Sequence, residues 1–156
     1  MSHSHRRTPR SHARGRQLDD AALHEVLDLL GARPLRRDLL IEFLHLIQDA
    51  KGCLPAAHLK ALAEAMRLSE AEVYEVASFY HHFDIVKEGA PVPAPLTIRV
   101  CDSVSCMLAG AESLIAALEN GADPQAIRVL RAPCVGRCAE GPVAVVGQNA
   151  VVHATA

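Results

Sequence analysis

Apolar positions change their rhythm twice along this chain. Up to about residue 17 almost nothing is apolar, and Arg, Ser and His dominate. From Asp19 to Leu30, residues Leu23, Val26, Leu27 and Leu30 recur at helical spacing, with Gly31 and Pro34 as stop signals, which predicts a short first helix. A second is predicted over about Arg36 to Ala50, with Leu39, Leu40, Phe43, Leu44 and Ile47 on one face and Gly52 just past its end. A third spans about Pro55 to Met66, opened by a proline in the first turn, where its missing N–H does no harm. Ser69 and Glu72 form a capping-box pattern ahead of a fourth, which continues through Val73, Val76 and Phe79.

Glu88 to Pro95, with one glycine and three prolines, breaks helical character. Beyond it, Leu96 to Val100 alternates and is rich in β-branched residues, as a strand should be; Ala109 to Glu119 reads as a helix, and Ile127 to Leu130 and Val143 to Val146 as further strands. Gly147-Gln148-Asn149 predicts a tight turn into a last strand, Ala150 to His153. The expected organisation is a basic tail over 1–17, a four-helix bundle over 18–87, a linker over 88–95 and a compact α/β domain over 96–156. The tail cannot offset its own ordering entropy and should be disordered alone, either as a solvated segment or as an arm that orders on a partner subunit.

With 156 residues, half of them apolar, the chain can bury a core without disulfide staples. Its formal net charge of −2 hides an asymmetry: Arg6, Arg7, Arg10, Arg14 and Arg16 all precede the first acid, Asp19, leaving −7 on the remainder. A body so charged is a poor nucleic-acid binder. No apolar run approaches the roughly 20 residues of a membrane span, and Arg6-Arg7 is not followed by a signal-peptide core. These features point to the cytoplasm, where five cysteines are poor disulfide candidates and clustered ones suggest metal binding.

Four of the cysteines form two pairs. Cys101 closes the first predicted strand and Cys106 follows after four residues; 27 more intervene before Cys134, and Cys138 follows after three. Both pairs fall in loops leaving the carboxyl ends of predicted strands, where backbone can wrap a ligand and offer N–H groups to sulfur. Gly136 and Gly141 suit close backbone approach. Structural zinc sites usually grip the ion with cysteines two residues apart. Spacings of four and three suit a broader object, a two-iron cluster with one pair on each iron, although zinc remains the rival occupant and free cysteines a third reading. Arg99, Arg131 and Arg137 lie near the four, opposed by Asp102 and Glu140, too even a balance to give a potential. All-cysteine ligation places such a cluster in the low-potential class, of order −400 mV for plant-type examples.

Cys53, alone before Pro55, reads as a small buried hydrophobe. In Phe79-Tyr80-His81-His82-Phe83, adjacent histidines on a helix point about 100° apart and do not readily share a metal. Packing is expected for Phe79 and Phe83, with Tyr80 and the histidines at an interface. The chain lacks a phosphate-cradling glycine loop, a nucleophile elbow and a paired-carboxylate site, so it is not expected to catalyse a reaction alone.

These residues resemble a known family, the thioredoxin-like two-iron ferredoxins that form the small subunit of the NADH-oxidising module of respiratory complex I and recur in bidirectional hydrogenases and NAD-dependent molybdenum or tungsten formate dehydrogenases. The resemblance spans about residues 18–153. It rests on Leu46-Ile47-Gln48-Asp49 with Gly52, Ser78-Phe79-Tyr80, Val100-Cys101 through Cys106, and Ala132-Pro133-Cys134-Val135-Gly136-Arg137-Cys138 before Gly141-Pro142. It implies a helical bundle followed by a thioredoxin-like domain with a four-stranded sheet, and one [2Fe-2S] cluster on Cys101, Cys106, Cys134 and Cys138. Arg36 to Glu42, Asp84 to Gly89 and Arg131 to Cys134 look most like the formate dehydrogenases. In those, the resemblance implies a partner or fused flavoprotein domain carrying FMN, NAD and a [4Fe-4S] cluster, and a catalytic subunit that oxidises formate to CO2 while NAD+ becomes NADH. Family members usually end in a helix packed on the sheet, whereas Ala156 follows directly on the last predicted strand. Either a continuation of the chain supplies that helix or a partner covers one face of the sheet; the expectation is an amino-terminal piece of a longer fused subunit.

Overall fold

A computed structural model describes residues 15–156. The expected basic tail lies outside the described residues except for 15–17, where Arg16 reaches Glu88 at 2.6 Å and Glu70 at 3.9 Å. Four helices fill the first half. The first, α1 (Asp20–Leu30), starts where the Asp19 carboxylate accepts hydrogen bonds from the N–H groups of Ala21 and Ala22, and ends at Gly31 in a positive-φ conformation. The predicted second helix begins later than its pattern suggests. A 3-10 turn, Arg37–Leu39, precedes α2 (Leu40–Lys51). Arg36 grips Asp38 through two hydrogen bonds of 2.9 and 2.6 Å, a closure between i and i+2 that an α-helix does not permit.

Pro55 stands just before α3 (Ala56–Met66) rather than within its first turn. Leu54–Pro55 form a two-residue strand, β1, paired in parallel with β2 (Ile85–Val86), an element too short to leave a periodicity in the sequence. Ser69 caps α4 (Glu70–Phe79) by accepting from the Glu72 N–H at 3.2 Å, while the Glu72 carboxylate pairs with Arg37 at 2.6 Å. Val26, Leu30, Phe43, Leu44, Ile47 and Leu62 are fully buried between the helices. Phe83 joins this core, but Phe79 does not: it is 80% exposed, its ring edge-on to Tyr80. Val73 and Ala77 set the inward face of α4. Two residues on, Phe79 is turned about 200° away from Ala77.

The second half is a four-stranded sheet with helices. Its strands are β3 (Leu96–Cys101), β4 (Ile127–Ala132), β5 (Ala144–Val146) and β6 (Asn149–Val151), in the spatial order β4-β3-β5-β6. The predicted helix forms as α6 (Ala111–Gly121), and a short α5 (Val104–Leu108) lies ahead of it, the two separated at Gly110 with φ 96°. Crossing over through α6 makes β3 and β4 parallel, with Cys101 level with Ala132. A two-residue turn with Gly147 at positive φ joins β5 to β6 as expected. The mixed α/β class is thus realised.

The faces of this sheet differ. Ile98, Val100 and Val129 pack with Leu114 and Ile115 of α6. Thr97, Arg99 and Arg128 face the segment His82–Asp84 that leaves the helical half. Arg128 meets Asp84 at 2.5 Å, and three further ties join the halves or brace their joint: His81 to the Arg131 carbonyl at 3.2 Å, Gln148 to Asp49 at 2.7 Å, and Gln48 accepting from the Asp84 N–H at 3.0 Å. Among the described residues no helix is long and apolar enough to cross a membrane.

Candidate metal centre

Parallel pairing of β3 and β4 brings their carboxyl ends together, and the chain leaves both through a cysteine loop. Cys101 is the last residue of β3, and Cys106 lies one turn into α5, whose start Ser103 provides. Cys134 stands two residues beyond β4, and Cys138 opens a 3-10 turn, Cys138–Glu140. The Cys134 and Cys138 sulfurs are 3.3 Å apart. Cys101 and Cys106 are likewise hydrogen-bonded to each other, and Cys138 is close enough to act electrostatically on both. The first pair is buried and the second exposed, so the site is open on one side.

Backbone N–H groups surround the sulfurs. Gly136 donates to Cys134 Sγ at 3.3 Å; Ser103 and Val135 donate to Cys101. The Val135 contact crosses from the second loop to the first. Burial alone would raise the Cys101 thiol, but these hydrogen bonds together outweigh it and hold the thiol below its ordinary range. Cys106 is pushed up by burial and by its bond to Cys101; Cys138 is pushed up by its bond to Cys134 and by the charge that Cys134 would carry. Four sulfurs so close resist ionising together, a cost that a cationic core among them relieves.

The two glycines serve different ends. Gly136 has φ 82°, and a Cβ there would meet nothing within 4 Å, so its role is conformational. A Cβ on Gly141 would lie 3.2 Å from the Ala109 Cβ and 3.5 Å from Cys106 Cα, so here the missing side chain does permit close approach. Among the described residues no three His, Cys, Asp or Glu side chains gather tightly enough for a single ion. Two thiol pairs with N–H donors to the sulfurs would suit the two irons of a [2Fe-2S] cluster, which Cys101, Cys106, Cys134 and Cys138 would hold.

The comparisons with known proteins agree with this chemistry. Residues 26–156 match the family model of the thioredoxin-like [2Fe-2S] ferredoxins. The chain belongs to this ferredoxin family. It is 34% identical over 124 residues to a subunit of the NADH-quinone oxidoreductase of Aquifex aeolicus (strain VF5), covering 74% of this chain and 74% of that protein. Over 141 residues it is 30% identical to the HndA subunit of the NADP-reducing hydrogenase of Solidesulfovibrio fructosivorans, covering 84% of this chain and 78% of that one. Its fold overlays a solved NAD+-reducing [NiFe]-hydrogenase in the air-oxidised state with a TM-score of 0.61 and 26% identity, over 81% of this chain but only 22% of the hydrogenase chain.

Within this ferredoxin, the residues singled out beside the cysteines fall into place unequally. Cys53 is buried beside β1, its thiol pushed up by burial and by Asp84. The His82 ring lies against that of His45 with centroids 4.8 Å apart and planes tilted by 37°. His45, His82, Arg99 and Cys134 share the walls of a cavity of about 360 Å3 between the helical half and the sheet. The sequence did not show which arginines are balanced. Arg131 is clamped by Glu112 through bonds of 2.8 and 2.7 Å, and Arg137 by Glu140 at 3.2 Å. Arg99 and Arg128 share the single carboxylate of Asp84, at 3.4 and 2.5 Å. An arginine on a strand's buried face was the available signal.

Proposed function

We propose that Cys101, Cys106, Cys134 and Cys138 ligate one [2Fe-2S] cluster, and that the chain exchanges single electrons with a flavoprotein partner in an NAD-linked oxidoreductase. The observation that carries this is the meeting of two thiol pairs at the ends of adjacent parallel strands, ringed by N–H donors. When bound, the cluster accepts and returns one electron without proton chemistry. The protein's own part is to hold the four sulfurs, donate hydrogen bonds to them from Ser103, Val135 and Gly136, and leave the Cys134–Cys138 side open to a partner.

For the parent complex we infer an NAD-dependent formate dehydrogenase, with FMN, NAD and a [4Fe-4S] cluster on the flavoprotein and formate oxidised at a molybdenum or tungsten subunit, all in the cytoplasm. The runs Arg36 to Glu42, Asp84 to Gly89 and Arg131 to Cys134 support that choice. Relatives named as NADH-quinone oxidoreductase and hydrogenase subunits make complex I and hydrogenase the alternatives.

Iron and acid-labile sulfide analysis of anaerobically purified protein, with electron paramagnetic resonance after reduction, tests the cluster. Two irons and two sulfides per chain are expected, and replacing any of the four cysteines by Ser should bleach the protein. Stoichiometric zinc without sulfide would instead make this an interaction domain held together by a zinc ion on the four cysteines. Affinity purification of the complex from its native cells tests the parent: formate-dependent NAD+ reduction is expected, and hydrogen-dependent reduction or quinone-linked NADH oxidation would reassign it.

A further inference from the structure

Among the charges around the cysteines, one is both buried and incompletely balanced. Arg99 is 9% exposed and sits two residues before Cys101 on β3, flanked by Leu130 on β4 and Val145 on β5. Residues two apart on a strand share a face, about 7 Å apart along the chain. The Arg99 guanidinium donates to the His82 carbonyl at 3.0 Å and to Asp84 at 3.4 Å, while its Nε has no partner. Asp84 is bound more closely by Arg128, so three ionised groups carry one surplus positive charge on the inner side of the sheet.

The arginines nearer in sequence to the second pair differ. Arg131 lies about half exposed, paired to Glu112 and also attracted by Asp102; Arg137 lies about half exposed, paired to Glu140. Water and these carboxylates screen both. Asp49, the other carboxylate near His82, is exposed and bonded to Gln148.

Resting on the cluster assignment above, we propose that Arg99, held by Asp84 and the His82 carbonyl, is the residue that raises the reduction potential of the cluster on Cys101, Cys106, Cys134 and Cys138. Reduction adds one electron, supplied in the test by dithionite, and one negative charge; no bond is made or broken. A cation kept from solvent favours that added charge, and an arginine stays protonated at any working pH. At roughly 10 Å and an effective dielectric of about 20, one unit charge changes a one-electron equilibrium about tenfold, or ~59 mV. Arg99 thus acts through space on the cluster's electronics, as a positioning residue for the electron.

Potentiometric titrations of the full, cluster-loaded chain, read by paramagnetic resonance, test this with variants of opposite charge effect. Arg99→Gln should lower the potential by about the tenfold equivalent, Asp84→Asn should raise it, and Arg99→Lys should leave it near the parent value. Arg131→Gln and Arg137→Gln should shift it several-fold less, and added salt should erase their shifts but not that of Arg99→Gln. Loosening of the joint would move Arg99→Gln and Asp84→Asn in one direction. That result, or a larger shift from Arg137→Gln, would overturn the proposal. Iron and sulfide content measured on each sample separates this outcome from failure of the cluster assignment, since a protein without a cluster has no signal to titrate.

Discussion

Gly141 and Ala109 lie side by side next to the metal centre, and a Cβ on Gly141 would come within 3.2 Å of the Ala109 Cβ. Ala109 ends the helix that carries Cys106, and Gly141 follows the turn that carries Cys138. Their contact therefore governs how closely the two cysteine loops can approach. Gly141→Ala should overpack this point and cost ~1–3 kcal/mol in urea unfolding, with a broadened paramagnetic resonance line. Adding Ala109→Gly should restore part of the loss, a coupling that a double-mutant cycle measures. Independent, additive effects would show that the loops do not meet there.

Gly136→Ala should behave differently, because φ 82° strains any residue with a Cβ while no neighbour is in the way. A cost of about 1–2 kcal/mol is expected, with Gly136→Asn milder because Asn tolerates the left-handed region. Equal losses for Ala and Asn in thermal or urea unfolding would argue against a conformational cause.

Burial, then repulsion from His45 and Arg99, holds the His82 imidazole below its ordinary pKa, with Asp49 and Asp84 pulling weakly the other way. The unfolded chain takes up that proton near pH 6.5 while the folded chain still withholds it. Stability should therefore fall as pH drops below about 6.5, and this contribution should level off below the folded pKa. His82→Gln should flatten that part of a urea-unfolding pH series. An unchanged slope would place the effect elsewhere.

The aromatic run separates core from surface. Phe43→Ala, which empties a fully buried site among the helices, should cost ~3–5 kcal/mol without altering the cluster's spectrum. Phe79→Ala should change stability by no more than ~0.5 kcal/mol, since the ring is 80% exposed. A large destabilisation from Phe79→Ala in urea unfolding would mean that the ring is covered.

Cys53, buried and with its thiol pushed up, should stay unmodified by iodoacetamide in the folded, cluster-loaded protein and react once denatured. Cys53→Ser should keep the visible spectrum. Bleaching in that variant would mean that the ligand set differs from the two pairs.

Much of this architecture could be read along the chain because the signals are local. Ser69 announces its helix by a cap that needs only its own next turn, and the cap forms. The C-x4-C and C-x3-C spacings are likewise properties of short segments, and they favour a two-iron site while leaving zinc as the rival occupant. Where expectation failed, a distant partner decided. Two-residue β1 exists only because β2, some thirty residues on, pairs with it. Five-residue α5 is likewise too short to leave a helical period of its own ahead of α6.

By itself, the sequence determined that this chain has helices ahead of a mixed strand and helix segment and that four cysteines form two pairs, each following a strand. Only the tertiary structure decided that the strands carrying those loops are parallel neighbours, since register is a relation between segments and not within one. The same holds for charge. Arg99, Arg131 and Arg137 are equal in composition, yet Glu112 and Glu140 balance two of them at the surface while Asp84 is divided between Arg99 and Arg128 inside. A charge acts through distance and dielectric, and folding assigns both.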